Sequence, residues 1–216
     1  MRIELKNRDL IKASLVNQLS IDKARYDFKG LSIDSRNIKD KDIFVALQGE
    51  RSHGNDFIDK KLLKKVSLVI SDKYFKHDKV FTVNNSKEFL VQLATFYRKK
   101  IQSKFICITG TNGKTTTKEL LADILKEKYK VNYSKGNFNS TISLPLSLLS
   151  FNDISDYSIM EMGASKSGEI NLLSNISRPN IGLITNISKA HLEGFESFKD
   201  LVNTKLAICD YLAKSE

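Results

Sequence analysis

Short apolar runs alternate with amphipathic stretches along most of the chain. The apolar runs are rich in β-branched residues, which is typical of strands: GLSI, DIFVAL, VSLVIS, KVFTVNN, FICITG, KVNYS, YSIMEMG and IGLITNIS, after a short first strand near the amino terminus. Apolar residues at helical spacing predict helices in DLIKASLVNQL, HGNDFIDKKLLKK, SKEFLVQLATFYRKK, 115–128, part of STISLPLSLLS, GEINLLSNI and 197–213. Strands with helices between them predict an α/β fold with a mainly parallel, doubly wound sheet.

The polar segment RKKIQSK at 98–104 divides this pattern into two regions. We therefore expect a small α/β domain over 1–100 and a second domain over 101–216. In the first domain, Ser86 is expected to cap the helix SKEFLVQLATFYRKK, which would bury Phe89, Leu93 and Phe96 on one face.

Composition narrows the class of protein. The 216 residues are 41% hydrophobic and 28% charged, which suits a soluble chain with a sizeable core. No apolar run has the length of a membrane span, and the amino terminus lacks a signal-type apolar block, so we expect a cytoplasmic protein without membrane insertion. Cys107 and Cys209 lie in apolar contexts without metal-like spacing and are interpreted as reduced core thiols.

The formal net charge of +10 raises the question of an anionic partner. The lysines are spread along the chain, and the densest cluster, KKLLKK at 60–65, places its leucines on one helix face. No aromatic residues alternate with basic ones, as they do on surfaces that stack nucleotide bases. A solvated lysine-rich surface is therefore the preferred interpretation, and no nucleic-acid partner is expected.

The segment FICITGTNGKTTTKELLADIL places two glycines and a lysine between a buried strand and a helix. Gly110 and Gly113 allow backbone N–H groups to converge on an anion, and the following helix adds its dipole. Lys114 is placed to reach outer phosphates, and the Thr115 hydroxyl to ligate Mg²⁺. An ordinary turn with a helix cap is the plain alternative. The sequence favours a nucleotide-phosphate site over that alternative.

Two glycines of the better-known phosphate-binding motifs are absent from this loop. Ile108 stands where the common P-loop has its first glycine, and Asn112 stands where the dinucleotide fingerprint has its second. The shortened form TGTNGKTTT resembles the loop of the Mur ligase superfamily. Members of this superfamily are ATP-dependent amide-forming enzymes of peptidoglycan synthesis. Folate ligases of that superfamily share GTNGK but usually continue with Gly-Ser, whereas three threonines follow here.

Further segments resemble one branch of that superfamily, whose members add D-alanyl-D-alanine to UDP-muramoyl tripeptide. They are KGNFNSTISLPLSLL, EMGASKSGEI and TNISKAHLEGFESF, while SIDSRNIKDKDIFVALQGERSHGNDFI resembles a uridine-nucleotide-binding domain. The resemblance extends from about Gly30 to Lys205. It implies an amino-terminal uridine-nucleotide-binding domain followed by a P-loop ATPase domain that is incomplete at its carboxyl side.

The resemblance also implies cofactors, partners and site residues. ATP and Mg²⁺ are the expected cofactors, and an acyl phosphate is the expected intermediate. The implied ATP-binding residues are Gly110, Thr111, Asn112, Gly113, Lys114, Thr115 and Thr116. The implied catalytic residues are Lys114, Glu161, His191 and Lys205, with Thr115, Glu161, His191 and a carbamylated Lys205 at magnesium. The implied substrate contacts are Ser35, Arg36, His53, Asn137 and Asn139, and Asn186 is expected to shape the turn before His191.

Without the resemblance, several of these residues would have plainer roles. Glu161 would be a strand-end carboxylate, His191 a structural histidine, Lys205 an exposed helix lysine, and Asp34 the cap of a turn. Two other functions stay open, namely another ligase of the superfamily and a non-catalytic nucleotide-binding module. Because the resembling enzymes continue well beyond Lys205, we expect a fragment or a truncated form, inactive alone and monomeric when full length.

Overall fold

The computed structural model describes residues 1–19, 26–189 and 192–215. These residues fall into two compact units, Met1–Tyr97 and Arg98–Glu216. Each unit contains a sheet of its own, and its helices lie in the connections between strands, except for one helix that follows the last strand of each sheet. The predicted α/β fold with parallel sheets is confirmed.

The first unit is built on a five-stranded sheet in the order β1-β2-β3-β4-β5. Its strands are β1 (Arg2–Glu4), β2 (Gly30–Ser32), β3 (Asp42–Val45), β4 (Leu68–Ser71) and β5 (Val80–Thr82). Its helices are α1 (Arg8–Leu19) and α2 (Lys60–Lys65), two 3₁₀ turns span Ser35–Asn37 and Gly54–Phe57, and α3 (Ser86–Lys100) follows β5. Only β1 is antiparallel to its neighbour; the other three pairs are parallel.

The two central strands of this sheet are buried along their whole length. Every residue of β3 and β4 is buried, which is typical of parallel strands covered on both faces. Phe44 of β3 and Val69 of β4 pack with Leu62 of α2 in one apolar cluster. The exposed lysines of α2 flank that buried leucine, so the interpretation of KKLLKK as a solvated helix face is confirmed.

The second unit is built on a four-stranded parallel sheet in the order β7-β8-β6-β9. Its strands are β6 (Lys104–Thr109), β7 (Val131–Tyr133), β8 (Tyr157–Glu161) and β9 (Ile181–Ile184). Its helices are α4 (Lys114–Lys126), α5 (Ser143–Leu149), α6 (Glu169–Ser177) and α7 (Phe198–Ser215), with a 3₁₀ turn at Leu192–Gly194. Ile108 lies opposite Glu161, and Thr109 lies opposite Ile184, so three strands end side by side.

Three expectations from the sequence are corrected by the structure. The stretch HGNDFIDKKLLKK is not one helix, because Asp59 interrupts it and caps α2 by accepting a hydrogen bond from Leu62 N at 2.7 Å. Ser86 is the first helical residue of α3, and the amides of residues 87 and 88 donate to the Asn85 side chain instead. Cys209 is exposed, not a core thiol.

Cys107 is buried as expected, and burial raises the pKa of its thiol to about 12. On the predicted apolar face of α3, Phe89 and Leu93 are buried, whereas Phe96 is only half-buried. Within the residues that the structure describes, no helix is both long enough and apolar enough to cross a bilayer.

Candidate active site

The loop between β6 and α4 has the backbone geometry of an anion cradle. Gly110 and Gly113 have φ values of +144° and +78°, which only glycine adopts readily. A Cβ atom at Gly110 would also collide with the hydroxyl of Thr185. The helix α4 begins at Lys114 with no hydrogen bond from a capping side chain, so its first amides face the loop without a side-chain partner. Such amides, together with the helix dipole, favour a bound phosphate.

A polar turn after β9 holds this loop in place. Thr111 N donates to Asn186 O at 2.9 Å, and Asn112 N donates to Asn186 Oδ1 at 3.1 Å. In return, Asn186 Nδ2 and Thr185 Oγ1 donate to Asn112 O at 3.1 and 2.6 Å. Ser188 N donates to Thr111 Oγ1 at 3.1 Å. The cradle is therefore preformed by the neighbouring strand end.

A role in this turn was predicted for Asn186 but not for Thr185 or Ser188. The available signal was the polar run TNIS directly after an apolar strand. That run shows a turn but does not reveal which loop its hydroxyl groups will contact, because that contact depends on β9 lying beside β6.

Two lysine ammonium groups meet at one carbonyl of the loop. Lys114 Nζ donates to Gly110 O at 2.9 Å and to Thr111 O at 2.8 Å. Lys205 Nζ, from α7, donates to the same Gly110 O at 3.0 Å. Lys205 is only 5% exposed, so it is not the exposed helix lysine of the plain alternative. Burial, and to a smaller degree the charge of Lys114, lowers the pKa of the Lys205 amine.

Glu161 lies beside the start of α4 and is 2% exposed. Its carboxylate accepts hydrogen bonds from Thr115 Oγ1 and from Asn139 Nδ2, both at 2.7 Å. A carboxylate and a hydroxyl this close supply the hard oxygen atoms that Mg²⁺ prefers. In the described part of the chain, no group of three or more His, Cys, Asp or Glu side chains forms a ready-made metal site. A magnesium ion beside Glu161 and Thr115 would complete its coordination with oxygen atoms from water or a bound ligand.

Three other residues were expected at this site, and the structure describes two of them. Thr116 and Asn137 are exposed, Asn137 in the turn that follows β7. His191 lies outside the described residues, so its expected contact with magnesium stays a prediction. The structure brings nine of the predicted residues together at one edge of the sheet, and their roles stay predictions: Gly110, Thr111, Asn112, Gly113, Lys114, Thr115, Asn139, Glu161 and Lys205.

A groove in the first unit lies at the carboxyl ends of β2 and β3. It has a volume of about 590 Å³ and is lined in part by Ser35, Arg36, Gly49 and Phe57. Asp34 accepts hydrogen bonds from Arg36 N at 3.1 Å and from Arg36 Nε and Nη2 at 2.9 Å each. The hydrogen bonds from Arg36 hold the pKa of the Asp34 carboxyl well below its usual range. Asp34 is thus the cap of a turn, and the Arg36 side chain above it is 85% exposed.

His53 and Asn55 have structural partners of their own. His53 Nδ1 accepts a hydrogen bond from Asn55 N at 3.1 Å, while its Nε2 lies 3.4 Å from Asp72 Oδ2. The Asn55 amide donates to Asp72 Oδ1 at 2.6 Å and accepts from Ser71 Oγ at 2.8 Å. The ring of His53 therefore faces Asp72, and its expected contact with a substrate stays untested.

The fold and the loop define a phosphate-loop α/β protein. Residues 108–216 match the Mur ligase middle domain, and residues 27–98 match the Mur ligase family, catalytic domain. The chain belongs to the Mur ligase family.

Curated relatives narrow the likeness to one branch. The chain is 40% identical over 189 residues to the UDP-N-acetylmuramoyl-tripeptide–D-alanyl-D-alanine ligase of Rickettsia prowazekii, covering 86% of this chain and 42% of that protein. It is 34% identical over 187 residues to the enzyme of the same name from Bacillus subtilis, covering 85% of this chain and 41% of that protein. The chain thus spans less than half the length of these relatives.

Solved structures agree with this assignment. The structure of MurF ligase from Thermotoga maritima in complex with ADP superposes with a TM-score of 0.78 and 34% identity, over 84% of this chain and 43% of that one. The structure of MurF from Acinetobacter baumannii superposes with a TM-score of 0.82 and 26% identity, over 97% of this chain and 47% of that one.

Proposed function

We propose that this chain forms the UDP-substrate-binding and ATP-binding parts of a ligase that adds D-alanyl-D-alanine to UDP-muramoyl tripeptide. The observation that carries the proposal is the cluster of Lys114, Thr115, Glu161 and Lys205 at one strand edge of a Mur ligase fold. The names of the relatives support the choice of branch. We assign residues 1–100 to the uridine nucleotide and residues 101–216 to ATP.

The reaction joins a carboxylate to an amine. The carboxylate of the tripeptide attacks the γ-phosphoryl group of ATP and releases ADP, which gives an acyl phosphate. The amine of D-alanyl-D-alanine then adds to the acyl carbon, and the tetrahedral intermediate releases inorganic phosphate. Both steps gather negative charge, so the protein must supply cations and N–H donors.

Residues of the phosphate loop meet that need. The ammonium of Lys114 now lies on two loop carbonyls and would turn to the outer phosphates of ATP. The first amides of α4 would bind phosphate oxygens, since no side chain caps them. Thr115 and Glu161 would hold Mg²⁺, which supplies positive charge between the nucleotide and the substrate carboxylate.

We propose that the Lys205 side chain is carbamylated. The ammonium would first lose one proton, and the free amine would then add CO₂ and release a second proton, so that the cationic lysine becomes an anion suited to a metal site. The lowered pKa of Lys205 favours the free amine that this addition requires. We expect a carbamate signal in the ¹³C NMR spectrum of the chain in labelled bicarbonate, absent from Lys205→Met. If the two spectra are the same, the assignment is wrong.

His191 is assigned to a second magnesium ion.

The choice of branch can be tested by calorimetry on the intact chain. We expect UDP-muramoyl tripeptide to bind more tightly than the corresponding dipeptide, and a folate to show no binding. Tighter binding of the dipeptide, or of the folate, would favour another ligase of the family instead.

A further inference from the structure

Lys118 is a wholly buried lysine that the proposed chemistry does not use. It lies one helical turn after Lys114 on α4, and its side chain is 0% exposed. Lysine is among the side chains least often fully buried, because removing an ammonium from water is costly. A lysine in such a place needs a specific partner.

The partner is a backbone carbonyl in the turn that follows β7. Lys118 Nζ donates to Gly136 O at 2.8 Å and lies 3.1 Å from the half-exposed carboxylate of Glu119. Gly136 has a φ of +53°, and a Cβ atom there would meet nothing within 4 Å. The turn is therefore open on its outer side and attached to the helix through this ammonium.

The same turn continues directly to the residues proposed to hold magnesium. Asn139 donates through Nδ2 to Glu161, and its carbonyl accepts from Gly163 N at 2.8 Å. At the start of the turn, Ser134 Oγ accepts from Glu161 N at 3.3 Å. Glu161 in turn accepts from Thr115, which lies on α4 three residues before Lys118.

These contacts close a ring. Helix α4 is hydrogen-bonded to the end of β8 through Thr115 and to the turn through Lys118. Asn139 completes the ring with a hydrogen bond from the turn to Glu161 at the end of β8. We propose that Lys118 is a positioning residue that fixes the turn 134–139 on the phosphate-loop helix. It thereby sets the distance between the substrate-side residues Asn137 and Asn139 and the nucleotide-side residues of the loop.

This inference rests on the proposed function only where it concerns substrate. If Asn137 and Asn139 contact the UDP-muramoyl peptide, a released turn weakens that contact. The nucleotide loop is held separately, by the turn after β9, so its affinity for nucleotide should depend little on Lys118.

The test uses the intact chain with Lys118→Met, which keeps most of the apolar stem and removes the donor. Two control variants leave the bond to Gly136 in place. Glu119→Gln removes the ion-pair partner of Lys118, and Lys128→Met makes the same substitution at an exposed lysine just past α4. The measurements are hydrogen exchange of the amides in 135–139 and calorimetric affinities for Mg·ADP and for UDP-muramoyl tripeptide.

We expect Lys118→Met to speed exchange in the turn and to weaken tripeptide binding by about ten-fold or more, which is the usual size of a lost charged hydrogen bond. Mg·ADP affinity should stay within about three-fold of the wild type, and both controls should behave like the wild type. Lys118→Arg should restore part of the protection, because it retains a cationic donor.

Unchanged exchange in the turn would overturn the proposal, and so would an equal loss of both ligands, which indicates a role in folding alone. If the wild type binds no tripeptide, the proposed function fails, and the exchange measurement still decides the role of Lys118. Should Lys118→Met not fold, Lys118→Gln is judged by the same measurements and the same outcomes.

Discussion

The phosphate-loop site of the second unit and the groove of the first unit lie at equivalent places, the carboxyl edge of a parallel sheet. They differ in how firmly their charged side chains are held. Glu161 and Lys205 are 2% and 5% exposed and bonded to other parts of the site. Arg36 is 85% exposed and bonded only to the neighbouring Asp34 among the described residues.

The two sites therefore differ in whether their charged side chains are already buried and bonded before a ligand binds. In the second unit, the protein has already removed its charged groups from water, so a ligand meets a preorganised cradle. In the first unit, the Arg36 guanidinium is bonded to Asp34, so under the proposed function it would have to leave this carboxylate to contact a pyrophosphate. Substitution of the buried Glu161 or Lys205 should therefore lower the stability of the second unit, whereas substitution of the exposed Arg36 should mainly lower the affinity for a ligand.

The largest expected effect is that of Gly110→Ala. The added Cβ would collide with Thr185 at a φ that alanine rarely adopts, so we expect a loss of about 3 kcal/mol or more in unfolding free energy. Gly136→Ala is the matched control, since φ there is also positive but the space is open, and it should cost only about 1 kcal/mol. Urea denaturation measures both. Equal losses would show that the loop is not held as tightly as described.

Lys114→Ala should weaken Mg·ADP binding by roughly a hundred-fold and leave the fold nearly unchanged. A charged hydrogen bond is worth about 1.5–3 kcal/mol, and Lys114 would make more than one such contact to phosphate. Lys126→Ala, on the same helix but paired with Asp123, is the control and should bind normally. Calorimetry gives both affinities. Normal binding by Lys114→Ala would refute the assignment of the loop.

Arg36→Ala should weaken binding of UDP-muramoyl tripeptide by about ten-fold and leave Mg·ADP binding unchanged, because it would remove the phosphate contact proposed for Arg36 in the first unit. Arg8→Ala removes an exposed arginine from the same unit, outside the lining of the groove, and serves as control. An equal effect of the two substitutions on tripeptide binding would indicate a nonspecific charge effect.

The smallest expected effect concerns the pH dependence of Asp34. Its pKa is depressed in the folded chain, so its stabilising effect is complete above the unfolded value of about 3.9 and is lost as the pH falls toward the folded value. Asp34→Asn should therefore be slightly less stable than the wild type at pH 7, with the gap shrinking below about pH 4. Denaturation at pH 7 and pH 3 measures the gap. A gap that stays constant would exclude a contribution from ionisation.

Sequence patterns predicted the strands of both sheets and the position of the phosphate loop, because apolar runs and glycines are local signals. The patterns did not predict the ends of helices correctly where two neighbouring side chains could cap the same helix or where a capping side chain divided a periodic stretch. Asn85 rather than Ser86 caps α3, and Asp59 divides a stretch that helical periodicity would have joined. Both positions offered a capping side chain, and only the packed chain shows which amides it meets.

Within the candidate site, the motif residues were predictable and their supports were not. Lys114 and Thr115 follow from the loop sequence, and Glu161 and Lys205 from the family resemblance. The contacts of Thr185 with Asn112 and of Lys118 with Gly136 join residues far apart in sequence, so they depend on strand order. A buried lysine in a helix of mixed polarity has no sequence signature of its own.

Under the proposed function, one chain carries two independent sites, one for ATP and one for a uridine nucleotide. Titration of the intact chain with Mg·ADP, with UDP-muramoyl tripeptide, and with each in the presence of the other tests it most directly. We expect the chain to bind one molar equivalent of each ligand, with no competition between them. Binding of neither ligand by the folded chain, or displacement of one by the other, would contradict it.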